Sequence, residues 1–258
     1  MIAPAIPLPS LDGAQSLPGR PLSPLSPLQL MQLADACFPS GGFAFSNGLE
    51  SLAKLGYIKR MEDFREYLDC HLDQLTAAEL PYLNSAYAAA GFPFASVEPD
   101  ALEGGDFQNL VREWDAWLFM PSQRRGSLSQ GQAWSRAMEE TYDMPAIRAI
   151  RPWFARRNLP LHYLMVFAAT LRAGGLPLRD GQSLLIHMAL RDQLGAAVRL
   201  GLLGSLQAQK MHHAFIAGAE KHRESREAWT YTRAVRMAQM IEMGQASHPH
   251  LYSKLFQN

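Results

Sequence analysis

The run Asp63-Phe-Arg-Glu-Tyr-Leu-Asp-Cys-His-Leu-Asp-Gln-Leu75 carries apolar residues at Phe64, Leu68, Leu72 and Leu75, three or four positions apart. Arg65, Glu66, Asp69 and Asp73 fall on the remaining faces. This is the stripe of an amphipathic helix, and it is expected to continue to about Ala90. Reading outward, the same period recurs and a strand-like alternation does not. Toward the N-terminus, Ser26-Pro27 reads as an N-cap followed by proline in the first turn. A short helix should run from there to about Cys37, with Leu30, Leu33 and Ala34 on one face and Cys37 in the core, and Pro39 ends it. A second helix starts near Ser46 and stops at Gly56, a favourable C-terminal glycine.

Toward the C-terminus, residues 91–98 with Pro93 form a connection, and Gly104-Gly105 follows. Phe107, Leu110, Val111, Trp114, Trp117 and Leu118 mark the next amphipathic helix, stopped by Pro121. Trp114 and Trp117 share its core face. Ser127 or Ser129 caps a helix ending near Tyr142. Arg148, Arg151, Arg156 and Arg157 surround Pro152 and read as a solvated or locally paired face. Residues 159–173 are helical and apolar, and residues 174–177 make a turn. Asp180 caps a helix over 181–203, and Ser205 caps a long final helix reaching Met243, closed by Gly244. The expectation is an all-α protein with one helical-bundle-like domain of eight or nine helices over residues 27–246. A proline-rich, disordered arm over residues 1–26 precedes it, and a partner-binding tail over 247–258 follows.

Composition narrows the function classes. Of 258 residues, 48% are hydrophobic and 19% charged, which is globular. The formal net charge is zero, so no long-range field favours nucleic acid. Cys37 and Cys70 provide neither a disulfide framework nor a Cys-x-x-Cys pair, which fits a reducing compartment. The most apolar stretch, 184–203, is interrupted by His187, Arg191, Asp192, Gln193 and Arg199, so no membrane span is expected. Nothing before Arg20 has the charged-then-apolar order of a secretory signal. A cytoplasmic location is expected.

The segment Phe38-Pro-Ser-Gly-Gly-Phe-Ala-Phe-Ser-Asn-Gly-Leu-Glu50 departs from this helical pattern. Gly41 and Gly42 permit backbone angles and close approaches that a β-carbon blocks. Phe43 and Phe45 are too apolar for a free loop. With Leu33-Ala34-Asp35 before it, the segment resembles the N-terminal signature of the urease accessory protein UreF family. Ser129-Gln130-Gly131, within residues 125–134, resembles that family's mid-chain region. The final residues 248–258, His-Pro-His-Leu-Tyr-Ser-Lys-Leu-Phe-Gln-Asn, resemble its tail. The resemblance implies an all-α, non-catalytic adaptor that bridges the accessory protein UreH (also called UreD) and the GTPase UreG on apo-urease. It further implies GTP-dependent nickel delivery, a homodimer, nickel as transient cargo and GTP held only by the partner. It places partner-binding residues at Ser40, Gly41, Gly42, Phe43, Gly48, Leu49 and Glu50, and in the tail at Tyr252, Lys254, Leu255 and Phe256. Lys254 stands where the family usually has arginine and lacks its planar fork.

A phosphate-cradling Gly-x-x-x-x-Gly-Lys-Ser/Thr loop is absent. Ala44-Phe45-Ser46-Asn47-Gly48 approaches a nucleophile elbow but lacks the first glycine and a preceding strand, so Ser46 reads as a helix cap. No catalytic residue is assigned. Glu139 and Glu140 are adjacent and point to different faces. Of eight histidines, no two are spaced His-x-x-x-His. His248 and His250, flanking Pro249, read first as polar residues of a docking tail; the alternative is that they are metal ligands sharing one ion with help from another chain, since a stable site usually needs three or four ligands. A direct nickel carrier and a small helical hydrolase remain the competing functions.

Overall fold

The computed structural model describes residues 25–91 and 105–257. The expected arm up to residue 24 and most of the connection around Pro93 lie outside them, while Leu25, placed in that arm, is buried with its N–H bonded to the Gly174 carbonyl. Among the described residues the regular elements are all helical, as the periodicity requires. They are α1 (Pro27–Ala34), α2 (Leu49–Lys54), α3 (Met61–Gln74), α4 (Leu80–Ala89), α5 (Gly105–Trp117), α6 (Pro121–Thr141), α7 (Pro145–Arg148), α8 (Ile150–Arg156), α9 (Tyr163–Ala173), α10 (Leu178–Arg199), α11 (Ser205–Arg226) and α12 (Gln239–Ser247). No helix among the described residues is long and apolar enough to cross a membrane.

Helix α9 is the centre. Its residues Leu164 to Leu171 are all buried, which an all-round apolar sequence requires. Helices α4, α6, α8 and α10 pack around it. Trp134 Nε1 donates to Thr170 Oγ1 at 2.8 Å, pinning α6 to α9. A β-carbon on Gly131 would collide with the Leu161 carbonyl, so glycine lets α6 touch the segment leading into α9. On α5, Trp114 is buried and Trp117 packs beside it, both against Tyr82.

Helices α3 and α4 form one continuous rod through a π-helical turn, Leu75–Glu79. Pro81 explains the use of the break. It has no N–H to donate to the carbonyl four residues back, and that carbonyl, on Ala77, instead accepts from Val235 N at 3.1 Å.

The structure corrects several boundaries. Pro121 opens α6 instead of stopping α5, so Ser127 and Ser129 lie inside that helix and cap nothing. Asp180 sits in the first turn of α10, whose N-cap is Pro177. Cys37 is exposed. The long final helix ends at Arg226, seventeen residues before the Met243 expected for it. There Arg226 is held by Asp73, with Nη2 to Oδ1 at 2.6 Å. Asn84 Nδ2 donates to the carbonyls of Glu227 and Trp229 at 3.0 and 2.8 Å. The chain then crosses the α3–α4 rod before α12 begins. Gly244 lies within α12 and does not close it.

Candidate functional site

The segment 38–50 and the tail 248–257, two hundred residues apart, meet on one face. Glu50 joins them. Its side chain is fully buried. Oε1 accepts from Lys54 Nζ at 2.8 Å and Leu255 N at 2.7 Å. Oε2 is 2.9 Å from His248 Nε2 and accepts from Phe256 N at 3.2 Å. Burial alone would raise the pKa of this carboxyl; the bonds from Lys54, the Leu255 N–H, His248 and the Phe256 N–H outweigh it and hold the pKa below the usual range. Lys54 Nζ also donates to the Ser253 carbonyl at 2.6 Å, and Gln257 N to the Ala44 carbonyl at 2.9 Å.

The glycines of the segment are each explained by a neighbour. Gly41 has φ +78° and lies against Gln130 and Ala133 of α6. A β-carbon on Gly42 would run into the Asp192 carboxylate of α10. Gly48 has φ +93°, and its β-carbon would sit 2.8 Å from the Ile241 carbonyl. Facing it, a β-carbon on Gly244 would sit 2.7 Å from the Gly48 carbonyl, so the pair sets the close crossing of α2 and α12. Ser46 Oγ accepts from Glu50 N at 3.3 Å, but α2 begins at Leu49 with Gly48 as its N-cap, so the helix starts later than expected and Ser46 is not its cap.

Phe43 and Phe256 meet at Arg199. Its guanidinium carbon lies 3.6 Å from the Phe43 ring centre and 4.2 Å from that of Phe256, within cation–π range of both. Phe256 is buried while Phe43 is 65% exposed. Ser40, Gly42, Leu49, Glu50 and His248 point inward. Phe43, Tyr252 and Leu255 point outward, and Lys254 Nζ returns to the Pro249 carbonyl at 3.1 Å. His248 and His250 are thus separated in role: one is buried on Glu50, the other exposed. Among the described residues no three His, Cys, Asp or Glu side chains group as a metal site.

Beneath the segment lies a cavity of about 170 Å³ with a mainly apolar lining, including Phe45, Trp114 and Met188, into which Ser40, His71, Glu79, Asp192 and Arg236 bring polar groups. Burial pushes the Glu79 carboxyl up to about 7, against the pull of Arg236. Burial pushes the His71 imidazole down to about 4, and neither of its nitrogens has a hydrogen-bond partner among the described residues. Burial also raises Asp192, although Arg191 bonds it at 2.8 Å. A cavity with unspent polar groups holds water or small polar species more readily than apolar ones.

Beside it, Ser127 Oγ is 3.1 Å from His162 Nδ1, and His162 Nε2 is 2.8 Å from Asp115 Oδ1. Arg124 Nε bonds the same carboxylate at 2.6 Å. The connectivity is that of a hydrolase triad, but acyl transfer also needs donors aimed at the oxyanion. Ser127 is interior to α6, where backbone amides are spent along the helix. These bonds link α5, α6 and the residue before α9. The arginines near Pro152 are locally held: Arg148 pairs with Asp143, Arg151 with Glu139, and Arg157 lies over Trp153.

Arg199, His71, Glu79, Asp192 and Arg236 were not singled out as site residues from the sequence. Asp192 and Arg199 were visible as charges breaking an apolar stretch, and that interruption was the available signal.

Comparison with known proteins agrees with the residue-level resemblance. A family model described as UreF matches residues 58–216, the span between the 38–50 segment and the tail. The urease accessory protein UreF of Trichodesmium erythraeum is 27% identical over 237 residues, covering 88% of this chain and 94% of that protein. Urease accessory protein F of Arabidopsis thaliana is 27% identical over 229 residues, 87% of this chain and 89% of the relative. The UreF of Chromohalobacter salexigens is 29% identical over 184 residues, covering 69% and 71%.

Proposed function

Because this chain belongs to the UreF family of urease accessory proteins, we propose that it is a non-catalytic adaptor. It bridges UreH/UreD and the GTPase UreG on apo-urease, in the cytoplasm, as a homodimer. Nickel is cargo, GTP belongs to the partner, and the adaptor keeps no cofactor of its own.

The observation that supports this reading is the junction at Glu50. A buried carboxylate with four donors fixes the tail onto the 38–50 segment. Phe43, Tyr252 and Leu255 are left exposed on the segment and tail that this junction joins. Exposed aromatic and aliphatic anchors on a rigid support suit a partner's groove, since the ordering cost is met before binding. The glycines and Ser40 act by letting this surface form.

A second role is a polar passage for nickel. The cavity below the segment, with Glu79, His71 and Asp192 at its wall, supplies oxygen and nitrogen donors of the kind a divalent ion accepts. The adaptor role is tested by a pull-down on the chain lacking residues 248–258. Loss of UreH/UreD and UreG capture is expected. Undiminished capture of both would refute the tail's part in bridging.

A further inference from the structure

On the α10–α11 face, away from the 38–50 segment, two histidines stand together. His187 of α10 and His212 of α11 have ring centres 5.1 Å apart, with planes inclined by 39°. They border a surface groove of about 210 Å³, walled by Ile186, Leu190 and Ile216. Neither ring has a hydrogen-bond partner among the described residues, so their nitrogens are unspent. With metal–nitrogen distances of about 2 Å, two imidazoles meeting at one ion at roughly 90–110° put their ring centres about 4.5–5 Å apart. The observed spacing needs adjustment of only a few tenths of an ångström.

The surrounding charges permit a cation. Arg191, one turn from His187, is tied to Asp192 and to the carbonyls of Ala34 and Asp35. Arg223 is paired with Glu224 and Glu227. Glu220 also borders the groove and brings a carboxylate. Burial lowers the pKa of both imidazoles; for His187, the neighbouring His212 and Arg191 add to it.

We propose that His187 and His212 bind one divalent transition-metal ion of the class that prefers imidazole, Cu²⁺, Ni²⁺ or Zn²⁺, with water completing its coordination. The site is separate from the Glu50 junction and from the cavity under it, and does not depend on the adaptor reading. It also differs from a site at His248, whose Nε2 is engaged by Glu50.

The test uses the full chain without a histidine tag. One equivalent of Cu²⁺ is added, and pulsed electron paramagnetic resonance counts the coordinated imidazole nitrogens; calorimetry repeats the titration with Ni²⁺ and Zn²⁺. Two nitrogens and one ion per chain are expected, unchanged in His213→Ala, the exposed neighbour. His187→Ala and His212→Ala should each drop the count to one, and the double variant should lose saturable binding. His187→Asn and His212→Asn, run in parallel with circular dichroism, keep the test valid if an alanine variant fails to fold. A two-nitrogen signal that survives in the folded double variant, or no stoichiometric binding by the unaltered chain, overturns the proposal.

Discussion

Replacing Glu50 by glutamine should release the tail without unfolding the bundle. All the groups around the carboxylate can donate: Lys54 Nζ and the Leu255 N–H on Oε1, His248 Nε2 and the Phe256 N–H on Oε2. Glutamine turns one oxygen into an NH₂ group facing two donors. Two hydrogen bonds to a charged acceptor are lost, each contributing about 1.5–3 kcal/mol. The sum, about 3–6 kcal/mol, overlaps the about 3–5 kcal/mol cost of breaking a buried ion pair by altering one partner. At ~1.4 kcal/mol per factor of ten, the tail should open at least ~100-fold more often. The assay is native-state amide exchange at Leu255, Phe256 and Gln257, whose N–H groups end on Glu50 or the Ala44 carbonyl. Their exchange should accelerate by that factor while Val166 and Phe167 in α9 keep their rates. Equal acceleration in α9, or unchanged tail protection, would refute the claim that Glu50 holds the tail locally. The pH sign follows. The folded pKa is below the unfolded one, so the stabilisation is present above about pH 4.5 and disappears as pH falls through the folded value.

Further perturbations separate the other contributions. Gly48→Ala combines a positive φ with a β-carbon 2.8 Å from the Ile241 carbonyl, and should cost about 1–3 kcal/mol in urea unfolding through the α2–α12 crossing. Trp134→Phe removes the bond to Thr170 and leaves that hydroxyl its own Phe167 carbonyl, so a loss of about 1 kcal/mol in the same assay is expected. Glu79 has a folded pKa raised to about 7, so the native state holds its proton longer and stability should fall as pH rises from about 4.5 to 7. Glu79→Gln should remove that slope, seen as a smaller loss of Tm between pH 5 and 7; His71, lowered to about 4, contributes the opposite slope between about pH 4 and 6.5 in both proteins.

The helices were legible wherever packing needs one apolar stripe: Phe64, Leu68 and Leu72 are buried as their spacing requires, and Leu33 likewise. Boundaries set by tertiary contacts were not. No glycine or proline marks the end of α11 at Arg226; Asp73 and Asn84, about 150 residues earlier, take over its terminus. Pro121 was ambiguous because proline ends one helix and opens another equally well. For the site, the odd composition of residues 38–50 located the surface. Which residues face outward was unreadable, because that depends on the tail returning to Glu50. Phe256 is the clearest case: near the end of the sequence it is nonetheless buried, with Arg199 over its ring and the next residue bonded to the Ala44 carbonyl.

The central claim is that Phe43, Tyr252 and Leu255 form a docking face held ready by Glu50. Changing these three exposed residues to alanine together leaves the Glu50 bonds in place. The chain and this variant would each be co-expressed with UreH/UreD, mixed with UreG, GTP and magnesium, and sized by chromatography with light scattering. The account predicts a ternary assembly for the unaltered chain and a folded but unassociated variant. The same assembly formed by the variant would contradict it.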